Sequence, residues 1–82
     1  MKKVFFLKPA VTALRKHKNM APRIREKIAA YVADSASLAN QVTELRGSTL
    51  KRLRVGDYRV LFEETDAEIT VSKIGPRGSI YD

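Results

Sequence analysis

The chain has 82 residues, enough for one small domain with a modest hydrophobic core. Its 16 Lys and Arg residues outnumber its 9 Asp and Glu residues, and the net charge of +7 and isoelectric point of about 10.1 are typical of nucleic-acid-binding proteins. The absence of cysteine excludes disulfide-stabilised folds, thiolate zinc sites and cysteine nucleophiles.

The first half of the chain predicts one strand followed by two helices. Residues 3–8 form the strand, whose apolar centre, Val4 to Leu7, is too short for the hydrophobic region of a signal peptide. Because this centre is apolar on both faces, we expect a strand that is covered on both sides. A proline opens each helix, and the helices extend over about 9–18 and 22–34. No segment has the roughly 20 apolar residues of a membrane span, so we expect a cytoplasmic protein without membrane contact.

The second half predicts three strands after an irregular segment. Residues 35–48 are irregular, and Leu38, Val42 and Leu45 are expected to anchor them to the core. The strands follow at 50–55, 58–64 and 68–74, and residues 79–82 are either a tail or a short final strand. The order β-α-α-β-β-β(-β) predicts an α+β fold, with a mainly antiparallel sheet and two helices packed on one face.

The second and third predicted strands place arginines on one face of a hairpin. With Gly56-Asp57 as a two-residue turn, Val55 lies opposite Tyr58 and Arg54 lies opposite Arg59. Since side chains alternate between faces, Arg52 shares a face with these two arginines, and the apolar side chains lie on the other face: Leu53, Val55, Tyr58, Val60 and Phe62. Like charges opposite each other destabilise a strand pair by roughly 0.2–1 kcal/mol. The pattern therefore indicates an anionic ligand, most simply a phosphate backbone.

Three motifs resemble those of the RelE/ParE superfamily of toxins from bacterial and archaeal toxin–antitoxin modules. They are the Leu45-Arg46-Gly47 turn, the segment Leu53-Arg54-Val55-Gly56-Asp57-Tyr58-Arg59-Val60 and the segment Ile74-Gly75-Pro76-Arg77-Gly78-Ser79-Ile80-Tyr81. The order of elements also agrees with that superfamily from Val4 to Tyr81. The resemblance implies a single RelE-like toxin domain over residues 1–82, with the microbial-RNase fold.

The resemblance also implies an activity. RelE-like toxins cut messenger RNA in the ribosomal A site without a metal, so we expect no metal and no cofactor. By residue-to-residue correspondence, Arg59, Arg77 and Tyr81 are expected to be catalytic, and Arg54 joins them as a phosphate clamp. Arg52 stands where the superfamily has one of two lysines. The second lysine position falls on Leu50, with Lys51 one residue out of register, so the general base is unassigned.

The chemistry of the side chains limits their roles. Arginine stays charged and binds phosphate oxygens in a bidentate manner, but it is a poor general base. Proton transfer therefore falls to Tyr81, to Lys51 or to groups of the substrate. The residues expected to bind RNA outside the catalytic group are Lys51, Arg52, Arg46 and Lys73. For Arg46 and Lys73 the alternative is a solvent-exposed surface residue without a role in RNA binding. We interpret His17, the only histidine, as a surface residue that complements a helix C-terminus, and Tyr58 as a core residue.

The expected partners are messenger RNA on the ribosome and a cognate antitoxin in a hetero-oligomer. The antitoxin is expected to contribute a partly acidic helical segment that covers or displaces the arginines, and operator DNA is bound only through the antitoxin complex. Two other functions remain open. One is inhibition of DNA gyrase, as in ParE-like toxins, and the other is nucleic-acid binding without catalysis.

Overall fold

A five-stranded sheet with two helices on one face forms the protein, as the sequence predicts. The computed structural model describes residues 1–80. In chain order its elements are β1 (Lys3–Phe6), α1 (Lys8–Lys16), α2 (Ala21–Ala33), a 3₁₀ helix (Ser35–Gln41), β2 (Val42–Glu44), β3 (Leu50–Val55), β4 (Tyr58–Glu64) and β5 (Glu68–Pro76). No helix within residues 1–80 is long and apolar enough to cross a membrane.

The strands are arranged in the order β1-β5-β4-β3-β2. β1 pairs with β5 in parallel, and the three other pairings are antiparallel. The two helices connect β1 to the rest of the sheet and cover one face. The core lies between helices and sheet, and its fully buried side chains include Ile24 of α2, Leu53 of β3, Phe62 of β4 and Val71 of β5. Within residues 1–80 neither α1 nor α2 packs on the other sheet face.

The prediction that β1 is covered on both sides is wrong. β1 is an edge strand, and only Val4 and Phe6 pack against the core. Phe5, on the uncovered face, is 46% exposed, and Leu7 beyond the strand end is 47% exposed. The strand also ends at Phe6 rather than at Lys8, because α1 already begins at Lys8 and has a proline in its first turn.

The second half of the chain also differs from the sequence prediction. Residues 35–44, expected to be irregular, form the 3₁₀ helix and β2, and β2 is too short to show an alternating pattern. β5 extends to Pro76 and contains an irregularity opposite Leu61 and Phe62, where Ser72 is the extra residue. Ser79 and Ile80 form a turn and a bend, and the remaining two residues of the possible final strand lie outside the described residues.

Candidate nucleic-acid interface

The β3–β4 hairpin has the register that the sequence predicts. Val55 lies opposite Tyr58, and Arg54 lies opposite Arg59. Gly56 has φ +58°, the positive value that the first central position of a type II′ hairpin turn requires. Because side chains alternate, Arg52, Arg54 and Arg59 lie on the uncovered sheet face, which we call the arginine face.

The three arginines line one polar cavity. It has a volume of about 90 Å³, and its wall is completed by amide and hydroxyl side chains from the 3₁₀ helix and β2: Asn40, Gln41 and Thr43. The arginines supply positive charge and N–H donors, and the three other residues supply neutral hydrogen-bonding groups. This combination is suited to phosphate oxygens together with the polar edges of a ribose or a base.

Arg59 is held in place by the backbone of its own hairpin. Its Nη1 donates to the carbonyl oxygens of Gly56 at 3.2 Å and of Tyr58 at 3.1 Å. Both bonds use Nη1, whereas a guanidinium has five N–H donors, so donors remain for an anion. The hairpin turn therefore positions this side chain before any ligand binds.

A second row of the arginine face runs across three strands. Arg52 of β3 lies opposite Leu61 of β4, and Leu61 lies opposite Lys73 of β5. Leu61 is only 4% exposed although it lies on the uncovered face. We attribute this burial to the aliphatic parts of its two cationic neighbours, which can cover apolar surface while their charged ends remain in water. The structure thus brings Arg52 and Lys73 together on the predicted face.

Arg77 lies at the same end of the sheet as Arg54 and Arg59. Its backbone N–H donates to the carbonyl oxygen of Asp57, in the hairpin turn, at 2.6 Å. Two residues earlier, Gly75 lies opposite Arg59. The side chain of Arg77 is exposed, so it is available to a ligand that occupies the arginine face.

The chain after β5 folds back onto the arginine face, where Ile80 packs against Gly75. A Cβ atom at this position would lie 2.8 Å from Cγ1 of Ile80 and 3.2 Å from Oγ of Ser79. Since Gly75 pairs with Arg59, the missing side chain would project onto the arginine face, and Ile80 occupies that space. Tyr81, the predicted catalytic tyrosine, follows directly in the chain and lies outside the described residues.

Two of the predicted RNA-binding residues do not lie beside the arginines. Arg46 is in the β2–β3 turn, at the opposite end of β3 from Arg54. Lys51 lies on the helix-covered face, because it alternates with Arg52 and pairs with Phe62. The alternation of residues along β3 in the sequence already indicates that Lys51 and Arg52 lie on opposite faces.

Lys51 instead belongs to a half-buried cluster around Glu64. Glu64 accepts hydrogen bonds from Lys2 at 2.5 Å, from Tyr31 at 2.7 Å and from Lys51 at 2.8 Å. Burial alone raises the pKa of Glu64, but the three hydrogen bonds outweigh it and lower the pKa to about 2. The hydrogen bond to Glu64 raises the pKa of Lys51, and burial raises that of Tyr31. The lysine is thus a charged structural partner.

A contact that the sequence analysis missed lies at the end of α1. Tyr58, expected in the core, is half-buried, and its hydroxyl lies 3.0 Å from Nδ1 of His17. The two rings are arranged edge to face, with centroids 5.0 Å apart. His17 is therefore half-buried rather than a solvated surface residue. No sequence signal links residues 41 positions apart, since the contact depends on how α1 docks on the sheet.

Comparison with known proteins gives matches among solved structures. No protein-family model and no curated protein sequence matches the chain. A chain of the archaeal RelE–RelB complex from Pyrococcus horikoshii OT3 is 29% identical, with 96% of this chain and 98% of that one covered, at a TM-score of 0.76. A chain of the RelB–RelE antitoxin–toxin complex from Methanococcus jannaschii is 27% identical over 95% of each chain, at a TM-score of 0.72. YafQ from E. coli strain BL21(DE3) covers 100% of each chain at a TM-score of 0.80 but is only 9% identical, so this likeness concerns the fold.

Proposed function

Because the chain belongs to the RelE family of toxins from toxin–antitoxin modules, we propose that it is a ribosome-dependent endoribonuclease that cuts translated messenger RNA in the A site. One observation carries the proposal. Arg54 and Arg59 lie opposite each other across two strands and line the same polar cavity as Arg52. The folded protein retains this unfavourable pairing, which an RNA phosphate would neutralise.

The proposed reaction requires no metal. The ribose 2′-oxygen attacks the adjacent phosphorus, the bond from phosphorus to the 5′-oxygen breaks, and a 2′,3′-cyclic phosphate is left. The 2′ proton moves to a base, and the 5′-oxygen receives a proton. Arg54, Arg59 and Arg77 stabilise the negative charge that develops on the phosphate oxygens. Preorganisation of Arg59 by the hairpin carbonyls supports this role.

Proton transfer is assigned to Tyr81 or to groups of the substrate. Lys51 is a weaker candidate, because it lies on the other sheet face and is paired with Glu64. Nearby arginines favour the ionised form of a tyrosine and lower its pKa, which makes it a better base near neutral pH.

We further propose that the protein acts within a type II module and is neutralised by a cognate antitoxin. The similar archaeal chains come from RelE–RelB complexes. An acidic antitoxin segment on the arginine face would compete with RNA for the same charges. If the purified toxin–antitoxin complex bound a short oligoribonucleotide as tightly as the toxin alone, direct masking would be wrong.

Mapping message cleavage after brief induction in cells tests the activity. We expect cuts on translated messages that are phased with codons. Arg59→Ala, Arg77→Ala and Tyr81→Ala should each reduce cleavage, by roughly 10²–10³-fold where a preorganised charge is lost. Arg23→Ala is the matched control, because it removes an exposed arginine from α2 and should leave cleavage unchanged.

Growth arrest with intact messages would contradict a nuclease. A supercoiling assay with purified gyrase would then decide for or against the ParE-like alternative. Binding of RNA without any cleavage, together with arrest that Tyr81→Ala does not relieve, would instead indicate a binding module.

A further inference from the structure

A second basic cavity lies on the helix side of the same hairpin. It has a volume of about 230 Å³ and is lined by Lys16, His17, Lys18, Asn19, Met20 and Tyr58. Five of these residues form the end of α1 and the turn to α2, and Tyr58 begins β4. The cavity therefore exists only because the α1–α2 turn docks against the hairpin.

The lining combines positive charge with aromatic and apolar surface. Lys16 and Lys18 are exposed and flank His17, whose imidazole lies edge to face with the Tyr58 ring. Met20 is partly buried against the core and adds a polarisable apolar side chain. None of the six lining residues carries a carboxylate. An anionic group and a flat ring can therefore be bound side by side, as in a nucleotide.

The backbone at this point does not oppose an anion strongly. The C-terminal carbonyl groups of a helix carry partial negative charge, which would repel a phosphate at the end of α1. However, the carbonyl oxygen of His17 accepts the N–H groups of Met20 at 3.0 Å and Ala21 at 3.1 Å. α2 begins at Ala21, and its positive N-terminal end lies next to the same turn.

The cavity adjoins the arginine face through two consecutive residues. Tyr58 faces the helices, and Arg59 faces the opposite side of the sheet. Both residues are at the hairpin end of β4, where the sheet stops. A single strand of RNA bound to the arginine face can therefore reach the cavity by passing around the hairpin turn, without crossing the covered face.

We propose that this cavity is a nucleotide subsite, which binds one unit of the RNA strand next to the units held by the arginine face. Lys16 and Lys18 bind the phosphate, and the base packs against the Tyr58–His17 pair. The identity of the bound strand as RNA rests on the proposed function. Binding of a nucleotide in the cavity does not, because it is a property of the isolated protein. Its occupancy sets affinity and strand direction without touching the reacting phosphate.

The only histidine of the chain makes the subsite directly observable. Adenosine 5′-monophosphate, adenosine and inorganic phosphate are titrated separately while the imidazole signals of His17 are followed by NMR. We expect a saturable shift with adenosine 5′-monophosphate and at most small shifts with the two fragments. Equal shifts with inorganic phosphate would mean an anion site only, and the absence of any shift with the nucleotide would also overturn the proposal.

A matched pair of double variants tests the lysines. Binding of a short oligoribonucleotide without ribosomes is measured for Lys16→Ala with Lys18→Ala, and for Lys8→Ala with Arg15→Ala. Both pairs remove two exposed cations from the α1 region, but only the first pair lines the cavity. We expect a loss of ~10-fold for the first pair, with the magnitude of the salt slope of log K lowered by about 0.7, since each phosphate neutralised on a single strand contributes about 0.7. Equal losses of RNA affinity for both pairs would show that only the net charge matters, and this result would overturn the subsite.

A third double variant separates this proposal from the proposed function. Arg54→Ala with Arg59→Ala removes two of the three arginines of the arginine face and leaves the cavity of Lys16, His17 and Tyr58 intact. If message cleavage is absent even in the wild type but the nucleotide still shifts His17, the nuclease is wrong and the subsite stands. If cleavage depends on Arg54 and Arg59 but His17 never responds, the subsite is wrong and the nuclease stands.

Discussion

Arg54 and Arg59 are directly opposite each other in an antiparallel pair, a position where most proteins place complementary or neutral side chains. Within residues 1–80 neither arginine forms a salt bridge, and Arg59 donates to backbone carbonyl oxygens instead. Their repulsion lowers the stability of the ligand-free protein. The same repulsion makes the surface more attractive to a phosphate, so function and stability are opposed at these two residues.

Replacing one of these arginines is therefore expected to stabilise the fold. Arg54→Gln should raise the free energy of unfolding by roughly 0.2–1 kcal/mol, because the like-charge pair is removed. Chemical denaturation of the ligand-free protein measures this free energy of unfolding. Message cleavage by the same variant should decrease. Arg54→Lys is the control, since it keeps the charge and should bring no gain in stability. A less stable Arg54→Gln protein would show that the pairing is not strained.

At the scale of the elements, the turn after β5 connects the sheet to the predicted catalytic tyrosine. Gly75→Ala would place a methyl group against Ile80 and Ser79, so the segment must shift. We expect cleavage to decrease more than stability does, because only Ile80 of the two displaced side chains is buried, and the predicted catalytic Tyr81 follows it directly in the sequence. Thermal unfolding and message cleavage of the variant are compared. Ser72→Ala, also in β5 but at the irregularity, is the control and should leave the Gly75–Ile80 contact intact.

Elements with a strong local pattern could be predicted from the sequence. The register of the β3–β4 hairpin followed from its two-residue turn and from the alternation of arginine with apolar residues. The same alternation assigns Lys51 to the helix side, but its proximity to Arg52 in the sequence favoured the wrong grouping. β2 has three residues and no period to detect. The coverage of β1 depends on its place at the sheet edge, which its apolar sequence does not encode.

Contacts between layers could not be predicted in the same way. The arginine cavity needs Asn40, Gln41 and Thr43, which lie in a segment without regular periodicity. The contact of His17 with Tyr58 depends on the position of α1 over the sheet. The sequence therefore predicts side chains that are positioned by a single strand or helix, whereas sites formed between elements required the structure.

At the scale of the whole molecule, Glu64 joins three distant parts of the chain. Lys2 precedes β1, Tyr31 belongs to α2 and Lys51 belongs to β3. The pKa of Glu64 is lowered to about 2 in the folded protein, below the usual 4.5. A carboxyl group with a lowered pKa stabilises the fold above its unfolded pKa, and this stabilisation is lost as the pH falls from about 5 to 2. Since the lysines are partly exposed, we expect about 2 kcal/mol at neutral pH rather than the full value of the shift.

Glu64→Gln tests this expectation. The variant should be less stable than the wild type at pH 7, and the difference should shrink as the pH falls from about 5 toward 2.5, because the unfolded chain takes up the proton before the folded protein does. Chemical denaturation at pH 7, 5 and 2.5 gives the three differences. Glu63→Gln is the matched control, because Glu63 is the exposed neighbour and accepts a hydrogen bond from Thr49 only. A constant difference at all three pH values would assign the loss to packing.

The parallel pairing of β1 with β5 joins the first strand to the last one within residues 1–80. During synthesis β1 leaves the ribosome early, yet its partner β5, whose Glu68 pairs with Lys3, and the Gly75 opposite Arg59 are made much later. Until then the sheet lacks the strand between β1 and β4, and such long-range closure is slow compared with local contacts. A chain that lacks β5 therefore has the three arginines of the hairpin, but neither Lys73 nor Arg77 beside them.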